Sequence, residues 1–119
     1  MGKRDNFRKG TVEMMVLALL LESDLYGYQI VQKITELSGG AILVQLGTLY
    51  PALYRLVDEG YISDTEIPAG KRRIRVYYHI EPSGRELLRE LYSDHQAFER
   101  GLAKVLESCK SFKEDELNE

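Results

Sequence analysis

The sequence predicts an α+β fold that is mainly α, on three observations. Three helical patterns joined by short links fill residues 11–59, a period-two stretch follows at 61–80, and a heptad-spaced helix begins near residue 82. Three helices followed by a β-hairpin describe a winged helix-turn-helix domain, here with one long C-terminal dimerisation helix. The expected division is residues 1–81 for the winged-helix domain, 82–112 for the dimerisation helix and 113–119 for an acidic, frayed tail.

Residues 1–10 are polar and basic up to Phe7, whose ring is expected to tuck into a core. Thr11 reads as the N-cap of the first helix, which runs to about Leu21. Apart from Glu13, that helix is apolar on most sides, from Val12 through Leu21. A short helix of this kind lies at the centre of a core or between two surfaces, one of them a partner subunit. Glu22–Gly27 reads as a turn, with Ser23 or Asp24 capping a second helix that carries Tyr26, Ile30, Ile34 and Leu37 at helical spacing. Ser38-Gly39-Gly40 ends it, and residues 41–45 form an extended link.

The third helix is the centre of the reading. Leu46, Leu49, Leu53 and Leu56, with Val57 beside them, fall at three- and four-residue spacing and face a core. The opposite face carries Thr48, Pro51, Ala52 and Arg55: small side chains, a hydroxyl and a guanidinium, suited to lying in a groove and meeting phosphates or base edges. Pro51 is tolerable only in the first turn, where its missing N–H costs nothing, which places the helix start between Leu46 and Thr48, and Glu59-Gly60 supplies the stop.

Tyr61–Ile67 then reads as a strand, Pro68-Ala69-Gly70 as a turn, and residues 73–80 as a second strand. Ile74, Val76, Tyr78 and Ile80 alternate with Arg73, Arg75, Tyr77 and His79, so the first set is expected to pack on the helices. Lys71, Arg72, Arg73 and Arg75 crowd the tip, where cations would hold a nucleic-acid backbone. In the last helix Ser83 and Glu86 match a capping box. Leu88, Leu91, His95, Phe98, Leu102, Val105, Cys109 and Phe112 follow at alternating steps of three and four. So long a seam exceeds what a small domain can cover, so a homodimer is expected, its C-terminal helices packing together or across the partner's first helix.

Composition excludes several classes. A hydrophobic content of 44% is too high for disorder, and a single cysteine rules out an intramolecular disulfide framework. The apolar run after residue 11 is too short to span a bilayer, so no membrane is expected and the chain reads as cytoplasmic. Residues 1–80 hold 10 basic and 9 acidic side chains, and residues 81–119 hold 6 and 10, which directs any nucleic-acid contact to the first part. His79 and His95 fall on different elements, Cys109 stands alone, and no glycine-rich phosphate loop follows a strand. No catalytic residue, metal or cofactor is therefore expected.

Lys9-Gly10-Thr11, Leu17-Ala18-Leu19-Leu20, Tyr26-Gly27-Tyr28-Gln29-Ile30, the run Gly47-Thr-Leu-Tyr-Pro-Ala-Leu-x-Arg-Leu56, Gly60-Tyr61-Ile62, Arg73-x-Arg75-x-Tyr77-Tyr78 and Gly84-Arg85 resemble the PadR family of bacterial transcriptional regulators. The match runs from about residue 9 to 86, and the single last helix looks like the short-tailed branch. The resemblance implies a dimeric repressor of double-stranded DNA that binds an inverted-repeat operator and is released by a small-molecule effector at the dimer interface. It places DNA contacts on Thr48, Pro51, Ala52 and Arg55, wing contacts on Arg73 and Arg75, and phosphate contacts on Tyr28 and Tyr78. Three departures stand out: Val76 replaces a basic residue, Glu81 replaces a threonine, and the last helix lacks the tryptophan on which some members stack flat drugs, His95 standing near that place. A winged-helix module for protein contact, its basic wing meeting an acidic partner, is the alternative from a different class; steep salt dependence with DNA separates the two.

Overall fold

The computed structural model describes residues 7–109 and Ser111, so residues 1–6, Lys110, Phe112 and the 113–119 tail lie outside it. The elements are α1 (Thr11–Glu22), β1 (Leu25–Tyr26), α2 (Gly27–Leu37), α3 (Leu46–Asp58), β2 (Ile62–Pro68), β3 (Ile74–Ile80) and α4 (Pro82–Ser108). Three helices, a hairpin and a long last helix are what the periodicities predict. Val16 and Leu17 of α1, Ile30 of α2, Leu49 and Leu53 of α3 and Ile62 of β2 are the side chains most completely removed from water. They meet in one core, each contributing about 1.5–3 kcal/mol of burial. Phe7 packs against its edge as expected.

Local chemistry shifts several boundaries. Gly10, at φ +87°, is the cap of α1, so Thr11 begins the helix and makes no side-chain capping bond. The segment expected to be only a turn contains β1, which pairs with β3 in the register Leu25↔Tyr78 and Tyr26↔Tyr77. The sheet order is therefore β1-β3-β2, antiparallel throughout. Because residues 25–26 are extended, α2 starts at Gly27 and neither Ser23 nor Asp24 caps it; Gln29 Oε1 instead accepts the Tyr26 N–H at 3.1 Å. Gly40 N–H closes α2 onto the Thr35 carbonyl at 2.8 Å. Leu37, at helical spacing with Tyr26, Ile30 and Ile34, is 74% exposed at the last turn.

α4 begins at Pro82, the position where a missing N–H is harmless. Ser83 does not form the expected capping box: its hydroxyl donates to the Gly60 carbonyl at 2.8 Å, tying α4 to the end of α3. Gly84 is buried, and a Cβ there would collide with the Tyr61 carbonyl oxygen and crowd Ile80 and Leu17. That carbonyl already accepts the Glu81 N–H at 3.0 Å, so it cannot easily yield. Gly84→Ala is expected to destabilise by about 2 kcal/mol net, overpacking outweighing the ~1 kcal/mol gain in helix propensity. Thermal melting at fixed protein concentration measures it. Among the described residues, no helix is long and apolar enough to cross a membrane.

Candidate nucleic-acid interface

Helix α3 buries Leu49, Ala52, Leu53 and Leu56. The outer face therefore centres on Gly47, Pro51, Tyr54 and Arg55, with Thr48 half-buried at its border. Two expectations change. Leu46 is 40% exposed rather than part of the core stripe, and Ala52, placed among the contact residues above, is only 2% exposed. Ala52 borders the small recess where Val12 and Glu13 of α1 approach Thr48 and Arg55; a small residue there lets the two helices come close. Tyr54, 61% exposed, is the outward side chain that the sequence reading missed. Its phase on the helix, three residues from Pro51 and seven from Gly47, was the available signal.

Pro51 stands six residues into α3, past the first turn. Its ring removes the N–H that would bond the Gly47 carbonyl, and Gly47, with open space where a side chain would begin, tolerates the local adjustment.

The hairpin pairs from Ile62↔Ile80 at its base to Pro68↔Ile74 near its tip. Tyr78 and Ile80 are buried, but Ile74 is 62% exposed and Val76 only half-buried, so the alternating face packs on the helices at its base alone. Lys71, Arg72, Arg73 and Arg75 are all exposed. Ala69 N–H closes the turn onto the Arg73 carbonyl at 3.0 Å. Arg75 is held: its guanidinium lies 4.5 Å from the Tyr26 ring centroid, and Tyr26 meets Tyr77 edge-on at 5.2 Å.

Between wing and helices lies a cleft of about 410 Å³ whose walls include Tyr26, Tyr28, Tyr50, Tyr54, Asp64 and Arg75. Tyr28, given to phosphates by the resemblance, lines the cleft and is 55% exposed. Tyr50 approaches so closely that a Cβ on Gly27 would stand 2.5 Å from its hydroxyl. Tyr78, assigned to phosphates above, is 3% exposed and belongs to the core, so the alternation of the strand describes it better than the resemblance does. Burial, and then the neighbouring Tyr50, Tyr54 and Asp64, push its phenol up to about 12 from an ordinary 10.0. The folded protein keeps that proton where the unfolded chain loses it. The stabilisation is therefore complete below pH 10 and is lost as pH rises from 10 to about 12. Ultraviolet titration should find one of the eight tyrosines ionising about two units late, and Tyr78→Phe should remove that step.

Of the expected dimer residues, Leu88 and Leu91 pack in part on their own domain. Phe98 lies under Arg8, whose guanidinium is 4.1 Å from the ring centroid. Phe98 and Leu102 are nevertheless 46% exposed and Val105 is 60% exposed. Cys109 is exposed and falls just past the end of α4, as its C-cap. His95 Nε2 is 3.2 Å from Glu99, while its Nδ1 is buried with no hydrogen-bond partner among the described residues.

An exposed third-helix face beside a cationic hairpin, on this order of elements, defines a winged helix-turn-helix regulator. The transcriptional regulator PadR-like family model matches residues 16–90, and the chain belongs to that family, one of transcriptional regulators rather than enzymes. It is 33% identical over 101 residues to the transcriptional regulator Rv3488 of Mycobacterium tuberculosis, covering 84% of this chain and 87% of that one. The structure of a transcriptional regulator from Clostridium thermocellum superposes with a TM-score of 0.74 at 30% identity, over 81% of this chain and 90% of the other. Bacillus subtilis PadR in complex with operator DNA superposes with a TM-score of 0.64 at 28% identity, over 72% of this chain and 47% of that one.

Proposed function

We propose that the chain is a cytoplasmic, ligand-responsive repressor that binds an inverted-repeat operator as a homodimer. The observation that carries this reading is the common exposure of Pro51, Tyr54 and Arg55 on α3 and of Lys71, Arg72, Arg73 and Arg75 on the wing. In this reading α3 enters the major groove, with Thr48 and Arg55 at base edges, and the wing cations and Tyr28 hold the flanking phosphates. The operator bound to B. subtilis PadR supports it.

α4 supports dimerisation. Its exposed Phe98, Leu102 and Val105 continue the seam begun by Leu88, Leu91 and His95. The effector would enter the apolar groove between α1 and α4, about 550 Å³, lined by Met14, Met15, Ala18, Leu88, Tyr92 and His95 among others. That volume suits a small organic molecule. Such a ligand would act by moving the two recognition helices off the ~34–36 Å spacing of successive major grooves.

Fluorescence anisotropy tests the reading, with a duplex from upstream of the protein's own gene beside a scrambled duplex at several salt concentrations. Tight, salt-steep binding that favours the native duplex is the expected result. Absence of binding to either duplex, in a preparation freed of bound small molecules, would favour a protein-contact module instead.

A further inference from the structure

We infer that Glu13 is a positioning residue for Arg55: its carboxylate fixes the guanidinium for base reading, and so sets sequence discrimination without itself touching DNA. The inference rests on the assignment of Arg55 to base edges made above. Arg55 Nη2 donates to Glu13 Oε2 at 2.6 Å, across 42 residues of sequence, from α3 to α1. The two side chains are unequally placed, Arg55 being 60% and Glu13 19% exposed. The carboxylate therefore sits back in the recess between the helices while the guanidinium projects from it. Val12, Thr48 and Ala52 border the same recess, and the small side chain of Ala52 leaves room for α1 to bring Glu13 within reach.

An arginine with a free side chain loses much rotamer freedom on docking to a base, and bidentate recognition of guanine demands that the planar fork arrive edge-on. A charge-assisted hydrogen bond to one Nη atom restricts the rotamers beforehand and leaves other donors of the fork to meet a base. A carboxylate near a phosphate backbone carries an electrostatic penalty for every DNA sequence alike. The two roles therefore have different signatures. A counter-charge weakens all binding, whereas a positioning group strengthens binding to the right sequence in particular.

The test uses the full chain as wild type, Glu13→Ala, Arg55→Ala and the double variant. Each is titrated by anisotropy against the duplex that wild type enriches from a randomised pool, and against a scramble of it. Glu13→Ala is expected to reduce the ratio of the two affinities about ten-fold, through weaker binding to the enriched duplex. In the Arg55→Ala background the same change should leave the ratio unaltered, because nothing remains to be positioned. Three results would overturn the inference: an unchanged ratio, equal tightening on both duplexes as expected of a counter-charge, or an effect that persists without Arg55, as expected of a structural role for α1. A wild type that enriches no sequence would overturn the DNA-reading assignment and this inference together.

Discussion

Leu102→Glu with Val105→Glu is expected to yield a folded monomer that has lost nearly all affinity for its operator. Both side chains are substantially exposed in the single chain, so glutamate there disturbs no core, and far-ultraviolet circular dichroism should be preserved. α4 has 27 residues, about 40 Å of helix, and its later turns expose one apolar residue after another at heptad spacing. Four glutamates facing one another across a two-fold seam would repel and lose the burial that holds the dimer. Sedimentation should then report 13.7 kDa in place of twice that mass. Two half-sites joined by a dimer gain about 10²–10⁴-fold in avidity over one, so operator affinity should fall by that order. A variant that still sediments as a dimer would place the interface elsewhere.

Arg73→Ala with Arg75→Ala is expected to flatten the salt dependence of DNA binding by about 2 in log–log slope per protomer, on the counterion-release value of about 0.9 per phosphate. Near 0.15 M salt the counterion term alone corresponds to about 30-fold weaker binding per protomer. Native and scrambled duplexes should suffer alike, since phosphates carry no sequence. Arg73 is exposed, and Arg75, also exposed, packs on the face of Tyr26, so stability should change little. A wild-type slope in the double variant would remove the wing from the interface. Arg75 is expected to account for the larger share, because its stack on Tyr26 has already narrowed its conformations.

The helices and the hairpin were legible because each has a strong period. The heptad of α4 and the alternation of β3 need no partner information to be recognised. What escaped was decided between elements. A small residue such as Ala52 signals close approach but does not say of what; DNA was assumed, and α1 is the neighbour found. Ser23, Asp24, Ser83 and Thr11 all have capping chemistry, yet caps depend on where the chain turns. The extended β1, the left-handed Gly10 and the pull of the Gly60 carbonyl moved those turns. β1, at two residues, carries too little pattern to announce itself. Tyr54 was overlooked because the outer face was read as small, when its phase alone put it outside.

The hairpin has one end stitched into the molecule and one end in water. At its base β3 is bonded on both sides, to β1 and to β2, over buried Ile62, Tyr78 and Ile80; near Pro68↔Ile74 the strands are exposed. Amide protons along a single pair of strands should therefore exchange by two regimes. Those beside Ile80 open only with global unfolding, and those beside Ile74 open by local fraying that leaves the helices intact. In the proposed complex the wing would act as a graded spring: stiff where it keeps its bearing relative to α3, and compliant where it would settle on a duplex whose groove width varies along its length.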